Sequence, residues 1–216
     1  MAGEALALYV SVPVAAFREP YAREYLTTLA CPPPATVYGM LLSIAGEQRR
    51  MTHAGAEVAV ALLSAPARST VIRTSWRLKS LGVPAGLGAN KRPDYQELLT
   101  DVRLAVWIRT SEAERAERPL VERVRAAVDG EESPERFGGL ALGESTHLVD
   151  EVRRLRPGDP MEGRLLVRDP AGDLALPVWV DHVGSAGTRW GQYRLVTGRL
   201  DGVLPDEAWS RIEPPV

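Results

Sequence analysis

Two short apolar runs set the frame for this chain: Glu57-Val58-Ala59-Val60-Ala61-Leu62-Leu63, and the stretch from Val102 to Ile108. Both are rich in β-branched and aliphatic residues and have strand length, so each predicts a strand with a face in a core. Neighbouring strands of a compact domain need only a few connecting residues. Here residues 66–97 intervene, and from Arg68 to Arg92 they carry Arg68, Arg73, Arg77, Lys79, Lys91 and Arg92 without one Asp or Glu. Such an excursion is either a solvated hairpin, whose arginines keep an edge strand from pairing, or a surface for a polyanion. Because the chain as a whole has net charge -2, binding of a polyanion has to be local.

The segments around the excursion place it in a fold. Residues 5–17 alternate imperfectly between apolar and small or polar types, predicting a first strand with Phe17 and Arg18 at its exit. Cys31-Pro32-Pro33-Pro34 forbids regular structure and presets an extended entry to a helix on which Val37, Met40, Leu41 and Ile44 recur, with Gly46 as its stop. Pro119 to Val128 predicts a second helix, apolar at Leu120, Val121, Val124 and Val128. A strand from Thr146 to Val152 would complete the order β-α-β-β-α-β of ferredoxin-like and RNA-recognition domains. Beyond Pro157, the runs Arg164–Val167, Leu176–Val180 and Tyr193–Leu200 are separated by Gly, Pro and Asp and predict a small antiparallel addition. The expected class is therefore α+β. A ferredoxin-like, RNA-recognition-like domain spans 1–156 with a basic β-hairpin thumb inserted at about 66–97, and a β-rich extension over 157–216 packs on it.

Inside the excursion, Thr70 to Lys79 has period two, which predicts Arg73, Ser75, Arg77 and Lys79 on one face and Ile72, Thr74, Trp76 and Leu78 on the other. Guanidinium groups suit phosphate oxygens, and Trp76 offers a ring for an unpaired base or for a partner protein. The glycine-rich tip, Leu81 to Asn90, is expected to be a mobile loop until a partner is present.

Little else in the chain offers chemistry. Cys31 is the one cysteine, and His53, His147 and His182 are scattered without zinc-ligand spacing. Gly143-Glu144-Ser145-Thr146-His147 lacks the closing glycine of a hydrolase elbow, and Gly82 to Lys91 lacks the Gly-Lys-Ser/Thr ending of a nucleotide-phosphate loop. Asp181-His182 reads as a surface turn, not half of a metal site. Neither metal nor other cofactor is expected. With no basic leader followed by an apolar run and no stretch of membrane-spanning length, a cytoplasmic protein is expected.

The ordered motifs resemble those of a known family. Phe17-Arg18, then Pro33-Pro34-Ala35-Thr36-Val37-Tyr38-Gly39-Met40-Leu41, the basic thumb, and Arg136-Phe137-Gly138-Gly139 with Leu142-Gly143-Glu144-Ser145 resemble the Cas-five family of type I CRISPR Cascade complexes over about residues 5–150. The resemblance implies a non-catalytic RAMP-type subunit that caps the 5′ handle of the crRNA, in antiviral defence or another guided targeting of DNA. Its thumb would lie over the RNA beside the first backbone subunit, with further contacts to the large subunit and with target DNA met only through the complex. The RNA-binding set so implied is Phe17, Arg18, Thr36, Tyr38, Arg68, Arg73, Ser75, Trp76, Arg77, Lys79, Lys91, Arg92, Arg136, Gly138, Gly139, Gly143 and Ser145. Tyr38 reads equally as a core-edge aromatic and as a base-stacking one. Gly138, Gly139 and Gly143 would let backbone N–H groups approach phosphate, and the helix starting near Pro34 has N-terminal donors that Thr36 extends.

One branch of that family cuts precursor RNA with a general base, a lysine and a histidine near the thumb. Cleavage through the 2′-hydroxyl needs a proton acceptor and a cation at the phosphorane. Lys79 and Lys91 have no adjacent histidine, so no catalysis is expected, the alternative being a metal-independent endoribonuclease that processes pre-crRNA. A third reading is a protein-interaction module whose basic hairpin binds an acidic neighbour.

Overall fold

Alternation in β1 (Leu6–Ala15) buries Leu6, Leu8, Val10 and Val12 on one face of a sheet. The computed structural model describes residues 5–22, 24–136, 138–180 and 187–215. After β2 (Tyr25–Leu26), the triple proline leads into α1 (Pro34–Ile44), which ends at Gly46 with φ +65°. Next come β3 (Glu57–Leu62), β4 (Ala67–Trp76) and the long β5 (Lys91–Arg109), then α2 (Leu120–Val128) and β6 (Glu151–Arg154). The extension supplies β7 (Glu162–Arg168), β8 (Leu174–Val180), β9 (Thr188–Arg199) and the short β10 (Ser210–Arg211).

Among the described residues these strands form one sheet in the order β6-β1-β5-β3-β7-β9-β8, with β10 beside β3 and with β2 and β4 beside β5. Every pairing is antiparallel except β2 with β5. The period of two divides the side chains. Val58, Val60, Val102, Leu104, Val106 and Ile108 join α1 and α2 in the main core. Ala59, Ala61, Ala105 and Trp107 face the other way, where Leu200, Ala208 and Trp209 cover them. The Arg109 guanidinium lies 4.0 Å over the Trp209 ring and closes that cover at its rim. No helix among the described residues is long and apolar enough to cross a membrane.

The extension continues the sheet: Ala61 pairs with Leu165 and Leu62 with Arg164. Leu176, Val178, Trp179 and Tyr193 sit in the same core as the helices. The Trp179 ring lies 6.3 Å from that of Tyr38 on α1.

Two expectations about the elements need correction. The strand expected near Thr146 to Val152 is Glu151–Arg154. Leu142 N–H donates to His147 O (3.0 Å) and His147 N–H to Glu144 O (2.9 Å), so residues 142–147 are spent on a turn and β1 pairing begins at Glu151, opposite Ser11. The excursion, in turn, is no separate insertion ahead of its strand. β5 runs unbroken from Lys91 to Arg109, pairing first with β4 and then with β1 and β3. At the change of partner stands Asp101, with φ 58°, a conformation Asp tolerates better than most residues. Ser64 Oγ donates to its carbonyl (2.6 Å) and accepts from Arg103 N–H (3.0 Å), fixing the joint.

One buried polar cluster ties the helices together. His53, fully buried, has Nδ1 2.9 Å from Glu114 Oε1 and Nε2 3.0 Å from Arg123 Nη1. A proton on Nδ1 satisfies both contacts, because the guanidinium can only donate. Glu114 also accepts the Leu120 N–H at the start of α2 (2.7 Å), and Arg123 reaches Glu47 (2.8 Å) and Ala45 O (2.9 Å) beyond the end of α1. His53 is thereby a structural residue.

Candidate nucleic-acid interface

All ten residues of β4 are exposed, so β4 forms the outer strand of the β4–β5 hairpin, while Gln96, Glu97 and Leu99 opposite it on β5 are buried. Register places Arg73 opposite Asp94, Ser75 opposite Arg92, Ile72 opposite Tyr95 and Trp76 opposite Lys91. One face carries Arg73 and Ser75. The other carries Ile72 and Trp76, 68% and 72% exposed, and Tyr95, which stacks on Tyr25 of β2 at 6.1 Å.

The six cations have no acidic neighbour in sequence, but three of them acquire one in space. Antiparallel pairing folds the acidic residues just past Arg92 back alongside β4. Arg68 contacts Glu97 (2.6 Å), and Arg92 contacts Asp94 (2.8 Å) and Glu24 (3.4 Å). Arg73 pairs with Glu144 (3.1 Å) and donates to Gln96 Oε1, while Ser75 donates to Asp94. Arg77, Lys79 and Lys91 are exposed, and no carboxylate among the described residues pairs with them. Uncompensated positive charge among the described residues is therefore concentrated at the end of the β4–β5 hairpin.

That end is built differently from the expectation. β4 stops at Trp76, so Arg77 and Lys79 do not continue the face of Arg73. Arg77 N–H bonds to Asn90 O (3.0 Å), and the fully buried Asn90 side chain accepts the N–H groups of Lys79 (2.7 Å) and Ser80 (2.8 Å). Its amide donates to the carbonyls of Ser80 and Val83. The expected mobile loop is thus an ordered turn around one asparagine, with the Trp76 ring packed so closely on Gly86 that a Cβ there would come within 2.7 Å of it.

Glu144, the partner of Arg73, also lines a cleft of about 300 Å³, at the small end of ligand cavities. Phe17, Arg18, Pro33, Thr36, Gly143 and Glu144 line one side, and Pro177, Val180, Thr188 and Trp190 of the extension line the other. Phe17 is 3% exposed and serves as floor, Arg18 is exposed and bonds Ala22 O (2.9 Å), and Thr36 is half-buried. At the start of α1 Pro34 lacks an N–H, and the N–H groups of Thr36 and Val37 bond Pro33 O, so this helix end offers fewer donors than expected. Arg136, Gly138, Gly139, Gly143 and Ser145 lie exposed along the loop.

Two residues change role. Tyr38 is fully buried, donates to Arg50 O (2.6 Å) and packs against Trp179, which removes it from any RNA-facing set. Gly143, with φ +98°, needs no side chain because a Cβ would lie 2.6 Å from Ala16 O; its freedom serves close packing on the exit of β1. Phe137, Asp181 and His182 lie outside the described residues. Trp190 and Pro177 of the cleft, and the organising Asn90, escaped sequence reasoning. Their only signal was a lone aromatic among polar residues and an asparagine after glycines.

His147 locks the same loop. Its buried ring accepts the Ala16 N–H at Nδ1 (3.1 Å). Burial holds its pKa below the ordinary histidine value, against the pull of Glu144 and with the help of Arg73. Folding thus favours the neutral ring, and the unfolded chain binds the proton more readily. Stability is full above the unfolded value of about 6.5 and is lost as pH falls from there through the lowered folded value. We expect the unfolding midpoint to drop across that window, and His147→Asn, which keeps an acceptor but cannot titrate, to lose this part of the pH dependence in thermal scans.

No family model matches the chain. CRISPR-associated protein Cas5 of Myxococcus xanthus (strain DK1622) is 47% identical over 200 residues, covering 92% of this chain and 91% of that protein. Among solved structures, a chain of a CRISPR RNA-guided surveillance complex is similar with TM-score 0.62 at 16% identity, over 91% of each chain. The crystal structure of a Cas protein is similar with TM-score 0.54 at 12% identity, over 92% of this chain and 96% of that one. At these identities the two likenesses show a shared fold. Sequence identity that runs through nearly the whole length then decides the family: this chain belongs to the Cas5 family of CRISPR-associated proteins.

Proposed function

We propose that the protein is a non-catalytic subunit of a type I Cascade surveillance complex that holds the 5′ handle of the crRNA, with a ferredoxin-like body and the β4–β5 hairpin as thumb. The carrying observation is the exposed cation group Arg77, Lys79 and Lys91 at the end of the hairpin, which no carboxylate among the described residues pairs with, in an otherwise acidic protein. Trp76 stands beside it, 72% exposed, as a stacking surface. RNA-recognition domains lay RNA across the helix-free sheet face, but here Leu200, Ala208 and Trp209 cover that face. The strand is therefore directed over the thumb and toward the cleft between Arg18, Thr36 and Trp190. The apolar side of the hairpin, with Ile72 and Tyr95, would meet the adjacent backbone subunit, and the large subunit and target DNA would be engaged in the assembled particle.

Absence of catalysis is supported by the two histidines among the described residues. His53 is enclosed with both ring nitrogens occupied, and His147 is buried with Nδ1 committed to the backbone. Complex purified through this subunit should carry crRNA, and the isolated protein should leave a repeat-containing transcript uncut in EDTA. Cleavage that disappears on His147→Ala would overturn the non-catalytic part. Assembly that survives nuclease treatment with no RNA copurifying would overturn handle binding.

A further inference from the structure

We propose that Glu144 is an internal stand-in for an RNA phosphate: in the RNA-free protein its carboxylate occupies Arg73, and a phosphate of the correctly seated handle takes its place. This rests on the handle-binding reading above. Glu144 Oε2 lies 3.1 Å from Arg73 Nη1, Oε1 accepts from Gln96 Nε2 at 2.9 Å, and Arg73 donates to Gln96, so the three side chains close a ring. The contact joins the thumb to the glycine loop across 71 residues of sequence. Glu144 also lines the cleft beside Phe17, Arg18 and Thr36. It therefore stands where a strand passing from thumb to cleft has to cross.

A bare carboxylate on that path repels RNA, whereas one neutralised by a guanidinium does not. With side chains 50% and 30% exposed, the pair is open to an incoming anion and contributes little to stability. When Arg73 turns to a phosphate, Glu144 keeps its bond from Gln96 but stands uncompensated beside the strand, a cost that only a strand held by its other contacts offsets. A strand seated by its other contacts drives the exchange. One that touches only the thumb meets an occupied arginine and a nearby negative charge. Glu144 thus acts as a specificity-determining residue that suppresses binding of unrelated single strands.

The test compares full-length wild type with Glu144→Gln, which preserves shape and can still bond Gln96 and Arg73. Fluorescence anisotropy would be measured with handle RNA and with a scrambled strand of equal length. We expect the variant to bind the scrambled strand about threefold to fivefold more tightly and the handle less than about twofold more tightly, so that discrimination narrows. Arg73→Gln in the same background should abolish the gain, and Glu144→Ala should reproduce it if the glutamine variant folds poorly. Unchanged or weaker binding of the scrambled strand by both Glu144 variants, with wild type still binding the handle, would overturn the stand-in role alone. Wild type that binds neither RNA would overturn the handle reading and this inference together.

Discussion

Replacing Arg77 and Lys79 together by alanine should weaken binding of handle RNA by about 10- to 100-fold at physiological salt, charge-assisted contacts to phosphate being among the stronger polar interactions. It should also flatten log K against log salt by about 1.4, since each phosphate of a single strand that the protein neutralises contributes about 0.7 to the slope. Neither side chain has a carboxylate partner among the described residues, and both are exposed, so the melting temperature should hardly move. The pair Arg68→Ala with Arg92→Ala is the informative contrast. These arginines are engaged by Glu97, Asp94 and Glu24, so their removal should cost less than about threefold in affinity. Equal effects of the two double substitutions, in affinity and in slope, would show that charge at the thumb's end has no privileged role.

Gly143→Ala should be the most damaging small substitution in the loop. A methyl group would stand 2.6 Å from the Ala16 carbonyl oxygen at a φ of +98°, so steric overlap adds to backbone strain. Together these should cost about 3 kcal/mol or more, lowering the midpoint of thermal unfolding by about 6 to 12 °C for a domain of this size. The displaced loop also carries Glu144 away from Arg73 and breaks the wall of the cleft, so RNA binding should lose selectivity as well. Gly138→Ala is the control. Gly138 has φ +77° but open space around its Cβ position, so only the backbone strain, about 1 to 2 kcal/mol, should register. Equal melting temperatures for the two variants would mean that contact with Ala16 does not constrain the loop.

What the sequence made legible follows from how each interaction is written along the chain. α1 could be read from its proline entry, apolar spacing and Gly46, because all three are local signals. β3 and the core half of β5 declared themselves by continuous apolar residues, and the hairpin by its length and alternation. Charge balance on that hairpin was not legible. Glu97 lies outside the basic run and returns to Arg68 only through strand register, while Glu144 comes from a loop beyond α2. Tyr38 was ambiguous for a similar reason. The helix pattern marks one apolar face, but β8 from the extension packs against a second flank, and eight of the eleven α1 residues are buried. The cleft could not be foreseen at all, since one wall of it, Pro177, Val180, Thr188 and Trp190, arrives from strands that the family motifs do not reach.

Photo-crosslinking of handle RNA carrying 4-thiouridine in the assembled complex, followed by mass spectrometry of this subunit, bears most directly on how the RNA is held. Crosslinks are expected on the peptide from Trp76 to Lys79 and on the cleft rim at Arg18 or Trp190. Crosslinks confined to other surfaces, with Arg77 and Lys79 equally reactive to modifying reagents with and without RNA, would contradict it.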